Sequence, residues 1–259
     1  MTINPLYSLA GVLVGLVVGL TGVGGGSLMT PLLVLVFGFH PATAVGTDLL
    51  YASATKTVGT TVHGWRGTVE WRVVARLAMG SVPAAILTLL VLGHAGMTAR
   101  DTSMTISVVL GIALMLSGLA TFFRARIVGW LTPRLGEGTE RRAAGWTIAL
   151  GALLGVLVSL TSVGAGALGM TALLVLYPRL PISRLVGSDI AHAVPLTLLA
   201  GIGHWWLGSV DGSLLVSLLV GSVPGIIVGS IVASRISDRI LSPILAVVLM
   251  IVGWKLVAG

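Results

Sequence analysis

Four ionisable side chains interrupt stretches that are otherwise apolar: Asp48 and Lys56 in one, Asp189 and His192 in another. A charge within a bilayer is costly and ordinarily faces a cavity or a partner. Asp48 and Asp189 suit coupling-ion binding or a proton relay. The competing role is helix N-capping, because both sit only a few residues into their segments. Lys56 lies deeper, about two helical turns beyond Asp48, and suits attraction of an anion or an ion pair with Asp48. Asp189 and His192 are three residues apart and share a helix face. His192 is the imidazole best placed to titrate, whereas His63 and His204 at segment ends read as satisfied interfacial side chains. Glu70 and Asp211 read as loop-shaping residues.

A second chemistry lies in two glycine clusters, Gly22 to Gly26 and Gly164 to Gly166. Continuous helix through such a cluster is disfavoured by about 1 kcal/mol per Gly relative to Ala. A half-helix restarting near Ser27, and another near Ala167, would present free amides and the positive end of its dipole to an anion. Thr21, Ser27, Thr161 and Ser162 add hydroxyl donors. The expected anion-binding set is Thr21, Gly22, Gly24, Gly25, Gly26, Ser27, Lys56, Thr161, Ser162, Gly164 and Gly166. The expected coupling set is Asp48, Asp189 and His192. The alternative for the glycines is a notch for close helix packing.

The elements that must position these groups are set by composition. Of 259 residues, 56% are hydrophobic and 9% charged, against about 25% charged in a soluble domain. This excludes a soluble enzyme and a disordered chain. Eight apolar stretches, at 6–39, 42–62, 71–92, 103–123, 145–177, 183–207, 213–234 and 240–258, predict an all-α polytopic integral membrane protein. The runs do not alternate, as strands of a membrane barrel would. The first Lys or Arg is Lys56, so the apolar start lacks the basic region of a signal peptide and reads as mature protein.

The stretches form a repeat. Gly15 to Gly26 aligns with Gly155 to Gly166, Gly46-Thr47-Asp48 with Gly187-Ser188-Asp189, and His63, Trp65 and Gly67 with His204, Trp206 and Gly208. Gly80-Ser81-Val82-Pro83 recurs unchanged as Gly221-Ser222-Val223-Pro224. This predicts a first transmembrane repeat over 1–123, a basic cytoplasmic linker over 124–142 and a second repeat over 143–259, integrated into one membrane domain. Each repeat holds a Gly-broken helix pair and three ordinary spans. If the broken pairs are re-entrant, each half crosses three times and the halves are inverted. The arginines of the linker then share the inner side with Arg66, Arg72, Arg76, Arg179, Arg184, Arg235 and Arg239, leaving only Arg100 clearly outside. Cytoplasmic loops carry the positive excess, so this arrangement is favoured over full crossings, and it places both termini outside. The seven Trp residues fall near proposed span ends, where aromatic belts sit.

No thiol chemistry is available without cysteine, and no cofactor, metal or nucleic-acid motif occurs at a useful place. Function is therefore sought in the bilayer, with a small anion and the lipid bilayer as partners and a proton or sodium ion for coupling. Oligomeric state is not legible from Gly-rich faces.

The chain resembles the sulfite exporter family of the TauE/SafE type. The resemblance rests on Gly19-Leu20-Thr21-Gly22-Val23-Gly24-Gly25-Gly26 with Leu28 and Pro31-Leu32-Leu33, on Ala44-Val45-Gly46-Thr47-Asp48-Leu49, on His63, on Gly67-Thr68-Val69-Glu70-Trp71 and on Gly80-Ser81-Val82-Pro83. It implies movement of sulfite, thiosulfate, sulfonates or carboxylates across the bacterial inner membrane. In the second half, Thr161-Ser162-Val163-Gly164-Ala165-Gly166 replaces a fuller Gly run, which implies unequal roles for the two breaks. Together these readings predict a non-enzymatic secondary transporter, an exporter of a small sulfur-containing anion working by alternating access. The alternatives are a passive anion channel and a carboxylate transporter.

Overall fold

Prolines open several helices. Pro5 and Pro41 are the first residues of α1 (Pro5–Thr21) and α3 (Pro41–Trp65), and Pro181 immediately precedes α9 (Ile182–Trp206). At those positions the missing N–H forfeits no helical bond. The computed structural model describes residues 4–21, 26–65, 67–94, 99–136, 139–232 and 238–258. Its other helices are α2 (Gly26–Leu35), α4 (Trp71–His94), α5 (Ala99–Phe122), α6 (Arg124–Leu131), α7 (Glu140–Thr161), α8 (Ala167–Leu176), α10 (Gly212–Val232) and α11 (Asp238–Ala258). Among the described residues, five helices are long and apolar enough to cross a membrane: α4, α5 over Met104–Phe122, α7, α9 and α10 over Gly212–Gly229. The protein is an all-α, multi-pass membrane protein. The 124–142 stretch, expected as a polar linker, contains α6 and a π-helical turn at Thr132–Gly136.

Every large helix contact joins the two halves of the chain. α1 packs along α10, α4 along α7, α3 against α9 and α5 against α11. Glycine permits the closest of these approaches. On α1 and α10, a methyl group on Gly11 or Gly15 would overlap the backbone at Leu218 or Ser222, and one on Gly221 or Gly225 the backbone at Ser8 or Val12. Gly80, Gly151 and Gly155 hold α4 against α7 in the same way. Small residues four apart let backbones meet where lipid supplies no hydrophobic drive.

The same contacts fix direction. Residues 11 and 15 of α1 meet 218 and 222 of α10, so these two run parallel, as do α4 and α7 through the pairs 77–151 and 81–155. Gly46 meets Ser209 and His204, Gly201 meets Leu50, and Gly59 meets Ile190, so α3 and α9 are antiparallel. α5 and α11 are also antiparallel, with Gly111 on Gly253 and Gly118 on Ala246.

The short helices α2 and α8 carry the chain back toward where α1 and α7 began. The Tyr7 ring in α1 meets Phe37 and Phe39, beyond α2, edge-on at 5.2 and 5.6 Å. In the second half, the Tyr177 hydroxyl beyond α8 lies 2.8 Å from the Thr147 hydroxyl in α7. Both broken stretches are thus helical hairpins.

One end of the molecule gathers charge. Arg76 bonds Glu140 at 2.8 Å and the Tyr177 hydroxyl at 3.2 Å, and Arg184 reaches Glu70 at 3.5 Å. The turns at 36–40 and 207–211, at the opposite end, contain no Lys or Arg. All seven Trp side chains are exposed, as an interfacial belt requires. Leu9, Leu13, Leu87, Leu90, Ile227 and Ile251 face outward, as suits lipid.

Candidate functional site

α9 is closed by Gly208, whose φ of 72° lets the Ser209 amide return to the His204 carbonyl at 2.9 Å. Its buried face carries Asp189, His192 and His204. α3 has the same 25-residue length and places Asp48 and Lys56 toward the same interior.

Asp48 is fully buried, and neither it nor Asp189 caps its helix. The Thr30 hydroxyl on α2 donates to Asp48 Oδ2, while Oδ1 has no partner among the described residues. Ser162, from the break of the other half, faces the same carboxylate. The Asp48 site therefore joins a hairpin helix of one half to the broken backbone of the other.

That break has a defined shape. The Thr161 hydroxyl donates to the Leu157 carbonyl at 2.6 Å and accepts the Val163 amide at 3.1 Å, so it serves the turn itself. Ser162 is left-handed at φ 60°, and Gly164 and Gly166 follow at 122° and 137°. Such angles in succession cannot continue a helix. α8 restarts at Ala167: the amides of Gly169 and Met170 return to the carbonyls of Gly164 and Gly166 at 3.1 and 3.2 Å, and those of Ala167 and Leu168 open the helix. The Ser162 hydroxyl is buried with no hydrogen bond among the described residues, which leaves it available as a donor.

In the first half, Gly22, Gly24 and Gly25 lie outside the described residues, as do the side chains of Thr21 and His63. Gly26 begins α2, as the spacing predicts. Ser27 is buried and borders an apolar groove of about 320 Å³ between α1, α2 and α11.

Lys56 is partly buried and lies within electrostatic reach of Asp189 first and Asp48 second. No ion pair to it occurs among the described residues, where the pairs are Arg72–Glu140, Arg76–Glu140 and Arg184–Glu70. Asp189 is buried, and its unpartnered Oδ1 faces Gly169 on α8, where a methyl carbon would stand 2.7 Å away. His192 is fully buried with Nε2 2.8 Å from the Ser81 hydroxyl on α4. His204, in the last turn of α9, is buried and places Nε2 2.8 Å from the Ser159 carbonyl.

Antiparallel packing keeps Asp48 and Asp189 apart. Asp189 neighbours the level of Gly59, eleven residues beyond Asp48 on α3, or roughly 16 Å of helical rise. Lys56 lies between those levels. No group of three or more His, Asp or Glu residues fit for a metal occurs among the described residues.

Sequence reasoning missed Thr30, Tyr51, Ser81 and Ser222. The unchanged Gly-Ser-Val-Pro repeat was the available signal. Ser81 and Ser222 are its serines, and they face His192 and Tyr51, which hold matching positions on α9 and α3. The fold is that of a multi-pass membrane protein with a buried polar interior.

The family model for the sulfite exporter TauE/SafE matches residues 7–256, and the chain belongs to that family. It is 40% identical over 209 residues to a probable membrane transporter protein, YjnA, of Bacillus subtilis (strain 168), covering 80% of this chain and 81% of that one. A probable membrane transporter protein of Xylella fastidiosa (strain 9a5c) is 39% identical over 90 residues, about a third (34%) of each chain. No solved structure matches the chain significantly. The protein is a membrane transporter.

Proposed function

We propose that the chain is a secondary transporter that exports a small anion across the bacterial inner membrane, with a sulfur oxyanion or sulfonate as the substrate class. The carrying observation is the buried Asp48 carboxylate, which accepts from Thr30 of its own half and faces the Ser162 break of the other. A group shared in this way senses any movement of one half against the other. The anion sits at the two helix breaks, against the opening amides of α2 and α8, the hydroxyls of Ser27 and Ser162 and the charge of Lys56. Asp48, Asp189 or His192 carries the coupling proton.

The two halves are inverted repeats in this reading. Its support is that matched helices, α3 with α9 and α5 with α11, pack antiparallel. A pseudo-two-fold axis between antiparallel equivalents lies across the helices, hence in the membrane plane. The charged end is cytoplasmic, in keeping with the positive-inside rule.

Proteoliposomes containing the purified protein test the assignment. Counterflow of sulfite, thiosulfate or a sulfonate, driven by a pH gradient and lost in Asp48→Asn, is the expected result. Carboxylate flux with no sulfur-anion flux moves the substrate class. Sulfur-anion flux indifferent to the gradient and to Asp48→Asn makes the protein a channel. Absence of flux for all of these anions overturns the reading.

A further inference from the structure

The two Gly-Ser-Val-Pro segments are alike in sequence, yet they meet different partners. Ser222 on α10 faces Tyr51 on α3, and Ser81 on α4 holds His192 on α9. Each contact crosses between the halves. Only the second brings an imidazole; an aspartate lies one turn earlier in each case, Asp48 before Tyr51 and Asp189 before His192, and Lys56 interacts with Asp189 foremost and Asp48 second.

The geometry of His192 divides its two nitrogens. Nε2 lies 2.8 Å from the Ser81 hydroxyl, with both side chains fully buried. Nδ1 is buried and has no partner among the described residues, and neither has Oδ1 of Asp189, one turn earlier on the same face. The surroundings hold few other charges. Lys56 acts on both residues from α3, and Arg124 acts on Asp189 from the start of α6. α8 has no ionisable residue, and those of α7, Glu140, Arg141 and Arg142, lie in its exposed first turn.

We propose that Ser81 is a positioning residue for proton exchange at His192: it accepts the Nε2–H hydrogen bond in both charge states, so that Nδ1 alone takes and releases the coupling proton. The step balances simply. In the neutral ring the Nδ1 lone pair is free and Nε2 carries the hydrogen. A hydronium ion arriving from the acidic side gives its proton to the Nδ1 lone pair and leaves as water, which yields an imidazolium whose charge Asp189 offsets and Lys56 opposes. The Nε2–H to Ser81 bond persists throughout, so proton exchange does not by itself detach α9 from α4. Ser222 and Tyr51 hold the matching positions where no imidazole titrates: there the Ser222 hydroxyl donates to the Leu219 carbonyl at 3.4 Å, and the Tyr51 hydroxyl has no hydrogen bond among the described residues.

The proposal deepens the transporter reading and rests on it for its flux measurement. Its closing experiment also has a readout that needs no substrate. Protein with ¹⁵N-labelled histidine is studied in nanodiscs, with His192→Gln assigning the His192 signals. The expected result is a neutral ring protonated on Nε2, converting to the imidazolium on acidification. Ser81→Ala is expected to mix the tautomers and lower the midpoint by about one pH unit, since a hydrogen bond favouring the charged form is lost. Ser81→Cys retains the side-chain volume and a weak acceptor and is expected to fall between the two. In liposomes, the pH midpoint of flux is expected to move with Ser81→Ala and to stay fixed with Ser222→Ala. A neutral ring protonated on Nδ1, or a midpoint unchanged in Ser81→Ala, overturns the proposal. So does an equal shift in Ser222→Ala. If flux is absent while the tautomer and its Ser81 dependence are as expected, the transporter reading fails and the assignment of Ser81 stands.

Discussion

The amide of Glu70 donates to the hydroxyl of Ser188 at 2.8 Å, across the boundary between the two halves. Its counterpart exists: the Asp211 amide donates to the Thr47 hydroxyl at 3.1 Å. Glu70 and Asp211 each precede the helix that follows the turn, while Thr47 and Ser188 each sit beside the buried aspartate of α3 or α9. Each half therefore anchors the other's turn next to a candidate coupling carboxylate.

Removing either anchor leaves a turn amide without its acceptor. Ser188→Ala and Thr47→Ala are each expected to destabilise the protein by about 1 kcal/mol, the net worth of one hydrogen bond. Thermal unfolding in detergent reads this as a lowered Tm, with Ser188→Thr close to the parent. Equal melting of parent and both Ala variants would show that the turns are held by packing alone.

The glycine contacts predict a sharper contrast. Gly80→Ala and Gly221→Ala place a methyl group against backbone at Ile148 and Ser8, respectively. Backbone cannot rotate aside as a side chain can, so a loss of about 1–3 kcal/mol or more is expected from overpacking. Gly145→Ala, with no atom near the added carbon, is expected to be neutral or slightly stabilising in its helix. Folded yield by fluorescence-detection size exclusion separates the two kinds of site.

Much of this was legible in the sequence, and the limits have physical reasons. The restart of helix at Gly26 and Ala167 follows from glycine runs that a helix does not tolerate, and the hairpins follow from stretches too short for two crossings. The loop roles of Glu70 and Asp211 followed from their place beside turn residues. The pairing of helices did not follow, because apolar letters do not say which face meets which. Ser81 illustrates the difficulty: it lies in a segment conspicuous for repeating, but its partner His192 is 111 residues away. Likewise, the nearness of Ser162 to Asp48 depends on a left-handed residue that redirects the chain. Thr161 could not be told from Ser162 as a donor until its bonds within the turn were seen.

Asp211 gives a pH dependence with a definite sign. Its carboxylate accepts the Leu214 amide at 3.0 Å, and also the amide and hydroxyl of Ser213 at 2.9 and 2.8 Å. The Leu214 bond foremost, with those of Ser213, holds the carboxyl below its ordinary value. A depressed folded-state pKa contributes stability above the unfolded value of about 3.9, and that contribution disappears as pH falls through the folded value. Asp211→Ala is therefore expected to melt lower than the parent at pH 7, with the gap narrowing below about pH 4. A gap that widens on acidification would show that the carboxylate is not the capping species.

The absence of cysteine makes the topology directly measurable. Arg141 and Arg179 flank the α7–α8 hairpin and are exposed, and Leu207 is exposed at the far end of α9. Because Tyr177 returns to Thr147, single cysteines at Arg141 and Arg179 are expected to react from the same side, although the apolar stretch 145–177 lies between them. α9 then separates Arg179 from Leu207, so Leu207→Cys is expected to react from the opposite side. The positive-inside rule places the first two on the cytoplasmic side. A membrane-impermeant maleimide should label Arg141→Cys and Arg179→Cys in inside-out vesicles, and Leu207→Cys in spheroplasts. Labelling of Arg179→Cys only from outside would make α7–α8 a full crossing, and the inverted relation between the halves would fall with it.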